Sequence, residues 1–255
     1  MDFDLAKKAE TFTFELAKKG VTDAPVMAVW AALDISGSMD DEIADGSMQT
    51  ILDQFGGVAI KFDDNNEIDI VKFDDQVDYV GTWTVDDYKT FVRNRRINVR
   101  GGTSYSPFIN YIVNNRYGSD AIAYETVTKT RTVKGFMGFG SKTEEYQERV
   151  PMQSASGAKE PTLVLVLTDG DPNSERIGLI QAALRSASAH PIFFAFIGFS
   201  NQSTAFNTLK QLDKEFDNVG FITAKFGAKD ADLYADLITP KLLAFIKRFP
   251  AKVSA

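Results

Sequence analysis

Five side chains in three separate segments have the types and spacing to do chemistry. Asp34-Ile35-Ser36-Gly37-Ser38 closes one apolar run, Thr103 follows Gly101-Gly102, and Asp169 follows Thr168 at the end of a second apolar run. They offer three hydroxyls (Ser36, Ser38, Thr103) and two carboxylates (Asp34, Asp169). All are hard oxygen donors, a set that suits Mg2+, with Mn2+ or Ca2+ as alternatives, and not zinc or copper. Two carboxylates neutralise a divalent ion only if both act, and bound hydroxyls return little charge. Such an ion would stay electrophilic, with a coordination position suited to a carboxylate from outside. That is the chemistry of a metal used to capture a partner.

Composition removes several other chemistries. The 255 residues hold 28 Lys+Arg against 35 Asp+Glu, a net charge of −7, with no cysteine and one histidine. Without cysteine there is no disulfide framework, thiolate zinc site or thiol nucleophile. Only His190 could serve as a histidine base. The acidic balance argues against nonspecific coating of nucleic acid. Phosphoryl transfer with Asp34 as nucleophile in the haloacid dehalogenase pattern would need a second aspartate two positions on, where Ser36 stands, and no GxxxxGK[ST] loop is present. The expectation is a protein that is not an enzyme. Charged residues from Lys7 to Lys19 interrupt any signal-peptide core, and the longest apolar stretches are strand-sized. These features predict a cytoplasmic protein with no membrane partner.

Buried strands must position the five residues. Val26–Leu33, Thr162–Thr168 and Pro191–Phe199 are continuous apolar runs of the kind covered on both faces. Further strands are predicted at Ile68–Phe73, Val77–Val80 and Val219–Ala224. Helices are predicted at Glu42–Phe62, Val85–Phe91 (capped by Thr84), Pro107–Asn115, Ser174–Ala189, Thr204–Phe216 and Asp230–Phe249. The alternation predicts an α/β fold, a doubly wound and mostly parallel central sheet flanked by helices. In such a sheet the C-terminal strand ends form the ligand crevice, where distant segments can converge. Residues 118–160 break the pattern. Thr recurs at every second position from Thr126 to Thr132, Gly135–Gly140 is a turn, and Thr143–Val150 alternates again, so an inserted β-hairpin is expected. The expected organisation is one domain over 1–255, with its core at about 22–249 and the hairpin at 118–160 within it.

Taken together, the DxSxS run, the Thr of a GGT loop and the TDG after a buried strand resemble the metal-ion-dependent adhesion site (MIDAS) of von Willebrand factor A (vWA) domains. The likeness extends to LAKKAETFTFELAKKG near the N-terminus, to the pattern across Asp34–Asp63 and to PIFFAFIGF, which look like TerF-like tellurium-resistance proteins of bacteria and phages. It covers most of the chain except 118–160. The resemblance implies that Ser36, Ser38 and Thr103 bind the ion directly, and Asp34 and Asp169 mostly through water. It implies a metal-dependent protein-binding module in stress response, with a partner presenting Asp or Glu. The competing expectation is a structural component of a phage or particle that oligomerises through the hairpin.

Other charged and aromatic residues have plainer readings. Asp40, Asp41, Glu42 and Asp45 suit a helix N-terminus better than a second ion site. Asp63, Asp64, Asp69, Asp74, Asp75 and Asp78 read as turn formers and a solvated edge. Arg93, Arg95, Arg96 and Arg100 are either a basic rim that steers an acidic partner or a solvated helix end. His190 reads as structural, and Phe206, Leu209, Leu212 and Phe216 as core. Phe136, Met137 and Phe139 at the expected hairpin tip either pack back on the domain or form a contact with another molecule, the second being the preferred reading.

Overall fold

Alternate residues of the apolar run after Pro25 enter different cores. Val29, Ala31 and Leu33 join one cluster of buried side chains, and Trp30 and Ala32 join a second. That period of two, with both faces covered, is a central strand. A computed structural model describes residues 2–118, 124–134, 141–151, 160–199, 206–225 and 227–250. Its strands are β1 (Ala28–Asp34), β2 (Ile68–Phe73), β3 (Val77–Trp83), β4 (Tyr124–Lys134), β5 (Ser141–Pro151), β6 (Thr162–Thr168), β7 (Ile192–Phe199) and β8 (Val219–Ala224). Six of them form one sheet in the order β3-β2-β1-β6-β7-β8. All neighbours are parallel except the antiparallel β2–β3 pair.

This strand order creates the functional crevice. β1 pairs with β2 on one side and β6 on the other, so the chain winds outward in one direction and then in the other. The C-terminal ends of β1 and β6 lie side by side, with Leu33 opposite Leu167. The loops leaving them diverge to opposite faces, the place where open α/β sheets bind ligands.

The helices are α1 (Phe3–Lys18), α2 (Asp40–Ala44), α3 (Ser47–Phe62), α4 (Phe91–Asn94), α5 (Ser106–Tyr117), α6 (Ile177–Ala187), α7 (Asn207–Glu215), α8 (Asp230–Leu237) and α9 (Pro240–Ile246). Side chains of α1, α3, α8 and α9 fill the core on one face of the sheet. Those of α5, α6 and α7 fill the other, including Leu209 and Leu212, with Phe206 and Phe216 at its ends. No helix among the described residues is long and apolar enough to cross a membrane.

Several elements differ from the sequence expectation for local reasons. The helix expected from Glu42 is interrupted at Gly46, whose φ of 84° breaks α2 from α3. The closing helix divides at Pro240, which starts α9 with Thr239 capping Leu242 N–H. The helix expected at Val85–Phe91 is a 3-10 turn, Val85–Asp87, closed by a Thr84–Asp87 capping box. There Lys89 adopts φ 62° and donates its N–H to Asp53 Oδ1. Ser174–Arg176 is loop rather than the start of α6. α1, where no element was predicted, buries Leu5, Phe12 and Leu16 against the core. β4 and β5 pair antiparallel from Tyr124–Pro151 to Lys134–Ser141. Among the described residues they pair with no other strand; Phe136, Met137 and Phe139 lie outside those residues.

α4 ends in a Schellman turn, with Arg96 N–H on Arg93 O and Ile97 N–H on Val92 O. The left-handed position of that turn, φ 50°, is held by Arg96 where glycine is the usual occupant. A side chain there costs about 1 kcal/mol.

Asp53 gives the fold a pH dependence. Its side chain is 5% exposed and accepts from Gln49 Nε2 and Lys89 N–H, and burial pushes its pKa up to about 6. A carboxyl raised above its unfolded value contributes stability that is complete below the unfolded pKa and is lost as pH rises through about 6. Asp53→Asn is therefore expected to stabilise the protein by about 2 kcal/mol at pH 7.5 and by almost nothing at pH 4, measured by urea unfolding.

Candidate metal centre

Asp34 is the last residue of β1 and fully buried. Its two oxygens are both engaged: Oδ1 accepts Ser36 N–H at 2.8 Å and Oδ2 accepts Thr168 Oγ1–H at 2.6 Å. The first bond bends the chain sharply out of β1, so the next two serines face the crevice edge. Ser36 Oγ and Ser38 Oγ lie 3.2 Å apart, and Ser38 Oγ donates to Asp169 Oδ1 at 3.0 Å. The sheet thus brings Asp34, Ser36, Ser38 and Asp169 into one hydrogen-bonded group across 131 residues of sequence.

Thr103 is tied to that group through its backbone. Arg100 N–H donates to Ile35 O at 2.6 Å and Gly37 N–H to Gly101 O at 3.3 Å, joining the Thr103 loop to the serine loop. From the other side Asn173 N–H and Ser174 N–H both donate to Thr103 O, and Thr103 N–H donates to Asn173 Oδ1 at 2.9 Å. Glu175 extends the clamp by accepting Tyr105 N–H, Ser106 N–H and Ser106 Oγ–H at the start of α5. The approach is close enough that a Cβ on Gly102 would stand 2.1 Å from Ser174 Oγ. Thr103 is 3% exposed, and its hydroxyl has no hydrogen bond among the described residues.

The electrostatics are those of two neighbouring acids. Burial raises Asp34 to a pKa of about 6, partly opposed by its bonds from Thr168 and Ser36, with Asp169 adding a smaller upward push. Burial also raises Asp169, against the pull of Ser38. No Lys or Arg pairs with either among the described residues. Among those residues no three Asp, Glu, His or Cys side chains converge as ligands, so a metal here would depend on the hydroxyls as well as the two acids. The donor set fits a hard divalent cation, whose charge would offset buried Asp34 and half-buried Asp169.

Neighbouring charges have other employment. Arg100 is not a free rim cation: its Nε binds Asp74 Oδ2 at 2.5 Å and its Nη2 binds Asp78 Oδ2 at 3.0 Å. Asp74, read from sequence as a turn former, also accepts Gln76 N–H and is buried. The Glu42 carboxyl is raised by burial, with Asp169, Asp41 and Asp45 adding to it. His190 stacks on Tyr117 at 4.6 Å, whose hydroxyl contacts Thr162 at the opposite end of β6. The residues that sequence reasoning missed are Thr168, Asn173 and Glu175. The Pro172-Asn173-Ser174 run was the available signal, because it reads as a turn.

A family profile described as "vWA found in TerF C terminus" matches residues 26–246. The uncharacterized protein YcbR of Bacillus subtilis (strain 168) is 22% identical over 228 residues, covering 86% of this chain and 75% of its own length. Proximal thread matrix protein 1 of the mussel byssus has a TM-score of 0.54 and 14% identity over 88% of this chain and 48% of its own. A structure of that protein with a zinc-occupied MIDAS motif has a TM-score of 0.49 and 15% identity over 84% of this chain and 48% of its own. The chain spans about half the length of these solved chains, and the likeness to the first of them shows the fold.

Proposed function

The chain belongs to the family of vWA domains found at the TerF C terminus, and from that premise we propose that it is a metal-dependent protein-binding module and not an enzyme. The observation that supports this reading most directly is buried Asp34, uncompensated by any described cation and hydrogen-bonded into a group with Ser36 and Thr168. In this reading Ser36, Ser38 and Thr103 hold a divalent ion, Mg2+ first, with Asp34 and Asp169 behind them. Bound there, the ion supplies a Lewis-acidic position for an Asp or Glu of a partner. Asp34 suits the supporting role because both of its oxygens already accept hydrogen bonds. Asn173 and Glu175 hold the Thr103 loop against the loop that carries Asp169. Because the chain has no cysteine, a part in tellurium resistance would run through the captured protein and not through thiol chemistry.

The test is retention of cell proteins on the immobilised chain. Proteins held in Mg2+ are expected to be released by chelator and not to be held by Asp169→Ala. Retention that is equal with and without chelator would reject the reading. The alternative, assembly through 118–160, draws support from β4 and β5 pairing with each other and with no other described strand.

A further inference from the structure

From Tyr88 to Ser119 the chain carries six cationic residues and no acidic one, within a protein of net charge −7. Three of the six have partners. Arg100 holds Asp74 and Asp78, Lys89 lies 3.7 Å from Asp4, and Arg116 donates to Thr162 Oγ1. Arg93, Arg95 and Arg96 are exposed at the end of α4 and make no ion pair among the described residues.

This corner is ordered by its surroundings. The Arg95 guanidinium lies 5.2 Å from the centre of the Phe91 ring, and its Nη2 is 3.6 Å from where a Cβ on Gly81 would stand. Packed in this way, the guanidinium loses little freedom on meeting an anion. Arg96 occupies the left-handed position of the Schellman turn. Strain kept for a residue whose side chain has no described partner points to a use for that side chain. Four residues after Arg96, Arg100 N–H bonds Ile35 O in the serine loop. Four residues of chain span at most about 14 Å, so the corner is within reach of a short extended peptide anchored at the metal centre.

We propose that Arg93, Arg95 and Arg96 form a docking surface for an acidic polypeptide segment of the partner, beside the carboxylate taken by the metal centre. The proposal rests on the metal-dependent capture argued above. Guanidinium groups bind carboxylates in bidentate pairs and steer acidic partners at long range. A peptide suits the surface better than nucleic acid, whose continuous phosphates would lie over the remainder of an acidic chain.

The test uses a fluorescent deca-glutamate peptide and the full chain in Mn2+, read by anisotropy. The triple variant Arg93→Gln, Arg95→Gln, Arg96→Gly is expected to bind the peptide at least about 10-fold more weakly, with a shallower salt dependence. Its affinity for Mn2+ alone should be unchanged. Arg96→Gly alone should weaken the peptide about threefold while raising Tm by about 2 °C, a pairing that damage to the fold cannot produce. Unchanged peptide affinity in the triple variant overturns the surface, as does a wild-type chain that prefers a DNA oligonucleotide. Peptide binding that is indifferent to chelator but lost in the arginine variants sustains the surface and overturns metal-dependent capture instead.

Discussion

Asp34→Asn is expected to lower the affinity for Mn2+ by about 100-fold or more and, in chelator, to make the protein more stable. Both effects come from one buried charge. Asp34 is fully buried at the end of β1, and burial holds its pKa near 6. With no metal, its ionisation therefore opposes folding. Its contribution to stability is complete below the unfolded pKa near 4 and lost as pH rises through about 6. Asparagine removes the charge and can keep the local bonds. Its Oδ1 still accepts Ser36 N–H, and the Thr168 hydroxyl, 3.1 Å from Gly170 O, can donate there instead. A divalent ion reverses the balance, because the charge that burdens the free protein then serves it. Metal titration followed by thermal unfolding in chelator reads both effects. Unchanged Mn2+ affinity would remove Asp34 from any metal site, and a large loss of stability in chelator would make it a structural residue.

The legible part of this site was the part written in contiguous residues. Val29 to Leu33 announce a central strand, and Asp34-Ile35-Ser36-Gly37-Ser38 follows it directly. The neighbouring position of Asp169 could be read from the alternation of elements, because a doubly wound sheet reverses direction beside its first strand. What could not be read was the set of cross-loop bonds. Thr168 holds Asp34 only because β6 pairs with β1 in the register that sets Leu33 opposite Leu167. Asn173 and Ser174 look like the lead-in to a helix, yet their N–H groups go to Thr103 O, far away in sequence. The same limit hid α1. Its Lys and Glu residues read only as interrupting a signal-peptide core, while Leu5, Phe12 and Leu16 share the one face that docks. Arg100 shows the reverse error, since nothing local distinguishes it from Arg93 or Arg96, and only the fold sets Asp74 and Asp78 beside it.

Docking of α1 also sets the second large effect. Gly57 lies in α3 with a normal helical backbone, so its lack of a side chain matters for space and not for conformation. A Cβ there would stand 2.6 Å from Tyr234 Oη, 2.9 Å from Lys8 Cβ and 3.0 Å from the Lys8 carbonyl carbon. None of these neighbours can yield cheaply. The Lys8 atoms belong to the body of α1, and Tyr234 Oη, buried, donates to Gln54 O at 2.7 Å. Gly57→Ala therefore forces α1 away from α3 or breaks that buried hydrogen bond. Overpacking costs about 1–3 kcal/mol and an orphaned buried polar group a similar amount. A loss of about 3 kcal/mol and a fall in Tm of about 6–12 °C are expected for Gly57→Ala. Gly178→Ala in α6, where a Cβ meets nothing within 4 Å, is expected instead to stabilise by about 0.5–1 kcal/mol through helix propensity alone. The pair separates crowding from propensity: equal effects of the two substitutions on urea unfolding would mean that α1 does not dock on Gly57. Because α1 and α3 cover the face of the sheet that backs β1, Gly57→Ala should also weaken Mn2+ binding when the protein is warmed toward its lowered Tm, while leaving it intact at low temperature.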